Sequence, residues 1–168
     1  MLKVCTDCQY QTIKSAVEAA TEGDTITVEA GTYTCSNLEI TKSVTLLGNP
    51  GAILDGNNSS YILRLLADSI TISGFSIVNT GRSYTKDYAA IYIYNSTGTR
   101  ILNNQISRSF FGILVEKSGL GEIKGNQILG TAKQEDQSGN GIHLWHCKQR
   151  KRLDNEVSGM RDGSYLEF

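Results

Sequence analysis

No run of 18 apolar residues occurs in the chain, so the sequence contains no segment able to span a bilayer as a helix. An excess of either charge is also missing. The formal net charge is −1 and the pI is near 6.1, which gives no basis for a nucleic-acid partner or an anionic membrane surface. The start, Met1-Leu2-Lys3-Val4-Cys5, lacks the apolar core of a secretory signal, as expected of a mature segment or of a cytosolic protein. Cysteine is sparse: Cys5, Cys8, Cys35 and Cys147 include one close pair, which fits neither a dense disulfide framework nor a four-cysteine zinc site. Proline occurs once against 17 glycines, and apolar residues come in short pulses, a composition of many short strands and tight turns.

What is present is a repeat. Asn104-Gln105-Ile106 recurs as Asn126-Gln127-Ile128 and, more loosely, as Asn155-Glu156-Val157. Ala90-Ile91-Tyr92-Ile93 recurs as Gly112-Ile113-Leu114-Val115, Gly141-Ile142-His143-Leu144 and Gly163-Ser164-Tyr165-Leu166, at offsets of 22, 29 and 22, with Leu63-Arg64-Leu65 lying 28 before Ile91. A period near 22 with insertions of about seven residues marks a solenoid. Each coil reads as three strands joined by turns, for example Val44-Thr45-Leu46 with Ala52-Ile53-Leu54, and stacking the coils in register puts apolar side chains in inner columns. The expected fold is an all-β parallel β-helix, whose handedness the spacing leaves open. Asn104, Asn126 and Asn155 are expected to stack at one turn, where Asn tolerates left-handed backbone, and to bond along the axis.

Ile13, Ala16, Val17 and Ala20 share one face at helical spacing, with Thr12 to cap the start and Gly23 just past the end. A helix over about 12–22 suits a cap on the open end of the solenoid. The expectation is one domain over 1–168, with coils over about 24–168. The last words, Arg161 to Phe168, begin another coil, as expected of the N-terminal part of a longer β-helix. Ser164 departs from its siblings Ile91, Ile113 and Ile142. Two insertions, 80–88 and 130–138, fall at the same place in the repeat, between a coil's third strand and the next coil's first. They alternate with the tight connection Ser107 to Phe110. Loops inserted at one position project from one face, often a binding face.

His143, His146 and Cys147 gather both histidines and one thiol within five residues, donors that copper(I) and zinc favour. With Ile142 and Leu144 inward, His143 and Trp145 point outward and His146 and Cys147 fall at the strand end, so the three meet at one ion only if the chain turns. An exposed strand followed by a turn accounts for the same residues. Cys5-Thr6-Asp7-Cys8 suits a disulfide, a redox pair or half a metal site, with a structural staple favoured and Cys35 a further candidate. Asp55, Asp68, Asp87 and Asp162 are scattered over different coils, Asp55-Gly56-Asn57-Asn58 reads as a turn, and no paired carboxylates recur at the spacing glycoside cleavage needs. The basic run Lys148 to Arg152 reads as an exposed turn.

The words Gly81-Arg82-Ser83-Tyr84-Thr85-Lys86-Asp87-Tyr88, Phe111-Gly112-Ile113-Leu114-Val115-Glu116-Lys117-Ser118 and Ser138-Gly139-Asn140-Gly141-Ile142-His143-Leu144-Trp145-His146-Cys147 resemble the nitrous oxide reductase maturation protein family NosD. So do Arg161-Asp162-Gly163 before Tyr165 to Phe168, and Cys5-x-x-Cys8 before Tyr10-x-Thr12-Ile13. The resemblance implies a right-handed, pectin-lyase-like parallel β-helix in the periplasm, with no enzymatic role of its own. It implies work with an ABC transporter on the copper centre of nitrous oxide reductase, and copper as the metal. It also assigns the first insertion, through Arg82, Tyr84, Lys86 and Asp87, to partner docking. Metal handling would fall to His143, His146 and Cys147. With only Met1 and Met160 present, a thioether-rich copper site is excluded within the chain. Family members are roughly twice as long, with later coils absent here. The rival is a carbohydrate-binding or carbohydrate-cleaving β-helix, with Tyr92, Tyr94, Trp145 and Tyr165 as stacking rings.

Overall fold

A computed structural model describes residues 1–83, 85–131 and 137–167. Among them, three parallel sheets of seven, six and six short strands wind as one β-solenoid. Strand residues alternate inward and outward, so each coil contributes to a shared interior, where Ile26, Leu46, Ile72, Ile101 and Ile123 form one column by strand pairing. Each is wholly buried, and burying such a side chain contributes roughly 1.5–3 kcal/mol. The sheet that carries the site comprises Leu38–Ile40, Leu63–Leu65, Ala89–Tyr94, Phe111–Glu116, Ile142–Trp145 and Ser164–Glu167. Its register joins Leu63, Ile91, Ile113, Ile142 and Ser164, the alignment that the repeat predicts.

The capping helix is shorter than expected, Ile13–Ala19, with the Thr12 side chain accepting the Ser15 N–H at 3.1 Å. Lys42 anchors it to the coils, its ammonium donating to the carbonyls of Val17, Glu18 and Ala20 at 3.3, 2.9 and 2.7 Å. Ahead of the helix, Leu2–Val4 pairs with Thr25–Val28 as a strand the sequence reading did not anticipate. Three residues carry too little periodicity to announce themselves. The disulfide Cys5–Cys8 closes the turn that follows, and Cys35 stays free and buried, its thiol pushed up to about 12 by desolvation.

Two other expectations change in detail. Asn104, Asn126 and Asn155 do stack, but the left-handed residue is the one before each: Asn103, Gly125 and Asp154. The left-handed step lets the Asn side chain turn inward to bond across coils. Lys148–Leu153 is a strand, not an exposed turn, because it pairs with Gly119–Lys124 and sets Lys151 beside Glu122. Ser164 is polar for a visible reason: Arg152 takes the inner-column position that follows Ile123, and its guanidinium donates to the Ser164 hydroxyl. Asp55 builds the expected turn, its Oδ1 accepting the Asn57 N–H at 2.9 Å while Asn57 and Asn58 are left-handed.

Candidate functional site

The outer face of the site sheet presents two columns. One runs Glu39, Arg64, Tyr92, Leu114, His143, Tyr165 and the other Tyr94, Glu116, Trp145, Glu167. While 132–136 of the second insertion lie outside the described residues, the corner before this sheet carries the first, which folds over the columns. Its residues Thr85, Lys86 and Asp87, together with Tyr61, wall a groove of about 460 Å³ whose floor includes Tyr92, Leu114, Glu116, His143, Trp145 and Glu167. The loop turns tightly there because Ser83 Oγ accepts the N–H groups of Thr85 and Lys86, each at 3.1 Å. A small apolar cluster of Ala89, Phe111 and Leu114, separate from the main core, supports the groove and packs against Tyr61 and Tyr92.

The polar groups are mutually engaged. Tyr92 donates its hydroxyl to Glu116 Oε2 at 2.8 Å, and burial first, then this bond, raises the phenol well above its ordinary value. Tyr61 is raised too, by burial and then by the charge of Asp87. The rings of Tyr61 and Tyr92 lie 5.1 Å apart, and the Arg64 guanidinium sits 5.7 and 5.8 Å from their centres. The Lys117 ammonium lies 5.6 Å from the Tyr94 ring centre and 3.5 Å from Glu116 Oε1.

The sequence-predicted residues separate in space. His143 points outward as expected, its Nδ1 bonded to the buried Asn140 amide at 3.1 Å and its Nε2 3.5 Å from Glu167 Oε2. His146 occupies a left-handed turn and its ring centre lies 5.4 Å from that of Trp145. The Cys147 thiol turns back to donate to the carbonyls of Val115 and Trp145, each at 3.3 Å. Among the described residues no three His, Cys, Asp or Glu side chains are placed to hold a metal ion, and this trio as it stands does not fit one. Of the docking residues, Lys86 and Asp87 line the groove, Arg82 is exposed on the same loop, and Tyr84 lies outside the described residues. Sequence reasoning missed Glu116 and Glu167, although both occupy the repeat position of Trp145 and a longer alignment of the coils would have caught them.

A sequence profile for the family described as "Periplasmic copper-binding protein (NosD)" matches residues 78–168. The chain is 33% identical over 136 residues to "Probable ABC transporter binding protein NosD" of Pseudomonas aeruginosa, covering 80% of this chain and 32% of that one. A protein of the same name from Stutzerimonas stutzeri is 29% identical over 136 residues, with 80% and 31% covered. The chain thus spans about a third of the length of these curated relatives. Among solved structures it is similar to pectin methylesterase PemA from Erwinia chrysanthemi, with a TM-score of 0.60, 17% identity, and 77% of this chain and 49% of that one covered. That likeness is one of fold.

Proposed function

The chain belongs to the NosD family, and from that premise we propose that these coils act as a docking scaffold in the maturation of the copper centre of nitrous oxide reductase. The family's description supports a periplasmic, copper-linked setting, and the relatives' name supports an ABC transporter as partner. The observation that carries the docking role is the groove itself, where an inserted loop, stacked rings and carboxylates meet on one face of a rigid solenoid. We assign it no catalysis. Glu116 is held by Tyr92 and Lys117, and His143 lies between Asn140 and Glu167, so these groups serve recognition.

Copper enters this reading as cargo. His143, His146 and Cys147 remain its soft donors on this segment, but they point in different directions, so no step is routed through them. The test is co-purification of the tagged protein with the ABC transporter of the same maturation system. The charge-swap variant Lys86→Glu/Asp87→Lys is expected to lose the transporter while keeping the parent's circular dichroism and melting temperature. Undiminished capture by the variant would overturn the reading. A second reading, an oligosaccharide-binding module, rests on the part-exposed rings of Tyr94, Trp145 and Tyr165. Saturable oligosaccharide binding lost in Trp145→Ala would favour it.

A further inference from the structure

The outward columns build the same small device more than once. A cation lies over an aromatic ring with a carboxylate at its side: Arg64 over Tyr61 and Tyr92 with Glu39, then Lys117 over Tyr94 with Glu116. In both the chain supplies its own cation. The next ring along the second column is Trp145, and its strand partners on the two sides are Glu116 and Glu167. Neighbouring strands stand about 4.8 Å apart, so an indole flanked this way has a carboxylate within a side chain's reach on each edge. Trp145 is 38% exposed, and among the described residues the ring beside it is His146, with no lysine or arginine over its face. The groove around it holds Asp87, Glu116 and Glu167 against the ammonium of Lys86 and that of Lys117 beside Glu116, so its formal charge is still negative and favours a cation.

We propose that Trp145, with Glu116 and Glu167, is the seat for an arginine side chain presented by a protein partner. A guanidinium suits it better than an ammonium because the planar group stacks on indole while its N–H edge donates to a carboxylate. The proposal rests on the docking reading for the partner being a protein, and specifies which chemistry that partner must show. Lys86 at the mouth of the same groove then selects against a second cation beside that arginine.

Trp145 is the sole tryptophan, so its indole N–H gives one unambiguous resonance. That resonance is followed while the protein is titrated with a capped Gly-Arg-Gly peptide, with the citrulline peptide as a neutral isostere. A saturable shift is expected with arginine, suppressed by salt and absent with citrulline. Affinity should fall by about tenfold in Glu167→Gln and again in Glu116→Gln, variants that keep the shape of each side chain. Equal response to citrulline, no response to arginine, or parent-like titration of both Gln variants would overturn the seat. A response to a neutral oligosaccharide with silence toward arginine would do the same in favour of sugar. The transporter experiment separates the two levels. Transporter capture that survives Trp145→Ala but not the Lys86/Asp87 swap leaves docking standing and removes the seat, whereas capture that ignores both variants removes the docking reading itself.

Discussion

Asn126 Oδ1 accepts two bonds from Asn104, one coil away: the backbone N–H and the side-chain amide, each at 3.0 Å. Asn126 in turn donates to Asn155 Oδ1 at 2.9 Å and to the carbonyl of Ile101 at 2.9 Å. Both residues are about 1% exposed, so water cannot replace a lost partner. Asn126→Ala is therefore expected to cost about 2–4 kcal/mol, from buried donors left unpaired. Urea unfolding would check this, and a change under about 0.5 kcal/mol would mean the ladder is dispensable.

Arg152 and Ser164 depend on each other where the inner columns turn polar. Ser164→Ile alone leaves the guanidinium without its acceptor and is expected to destabilise. Arg152→Leu combined with Ser164→Ile extends two apolar columns and should be neutral or stabilising, because both polar partners leave together. The four melting temperatures of this double-mutant cycle measure the coupling, and additive single effects would refute it.

The cysteines should divide by environment. Iodoacetamide is expected to label Cys147 in the native protein, while Cys35, 5% exposed, reacts only after denaturation. Reducing Cys5–Cys8, whose loop is short, should cost about 2 kcal/mol by the chain-entropy argument and loosen the N-terminal strand. Mass spectrometry of labelled peptides checks the first expectation, and urea unfolding with and without reductant checks the second.

Acid should weaken the fold through particular carboxyls. Asp55 is held below its ordinary 3.8 by the Asn79 amide and then the Asn57 N–H. Glu29 is held below its ordinary 4.5 by Lys3 and then Asn49. With folded values depressed, the stabilisation is present above the ordinary values and lost as pH falls through the folded ones. The melting temperature should drop as pH falls below the ordinary 4.5 and 3.8 of these groups, and less steeply in Asp55→Asn. An identical slope in that variant would exclude Asp55 as a contributor.

Copper(I) titrated anaerobically against a competing chelator should bind weakly, and equally, to the parent and to His143→Ala/His146→Ala. A tight one-to-one site lost in the double variant would show that these donors converge after all.

The coil register was legible because Leu63, Ile91, Ile113 and Ile142 repeat a type demanded by one inner column. The same periodicity put His143 outside and Leu144 inside. The groove was only half legible. Lys86 and Asp87 stood out in an insertion, yet nothing local to Glu116 or Tyr61 says that a loop inserted near them will fold across them. The turn on which a meeting of His143, His146 and Cys147 depends is present, left-handed at His146, but it sends the Cys147 thiol back to the Val115 carbonyl, a direction that no local signal in the sequence gives.

The groove floor from Tyr92 to Glu167 crosses four successive coils, and in a solenoid each coil is secured chiefly by its neighbours. A guest lying along that floor would act as a clasp, fastening rungs that otherwise fray one at a time. Occupancy would then be felt as resistance to unzipping, concentrated in the later coils and scarcely sensed at the helical end.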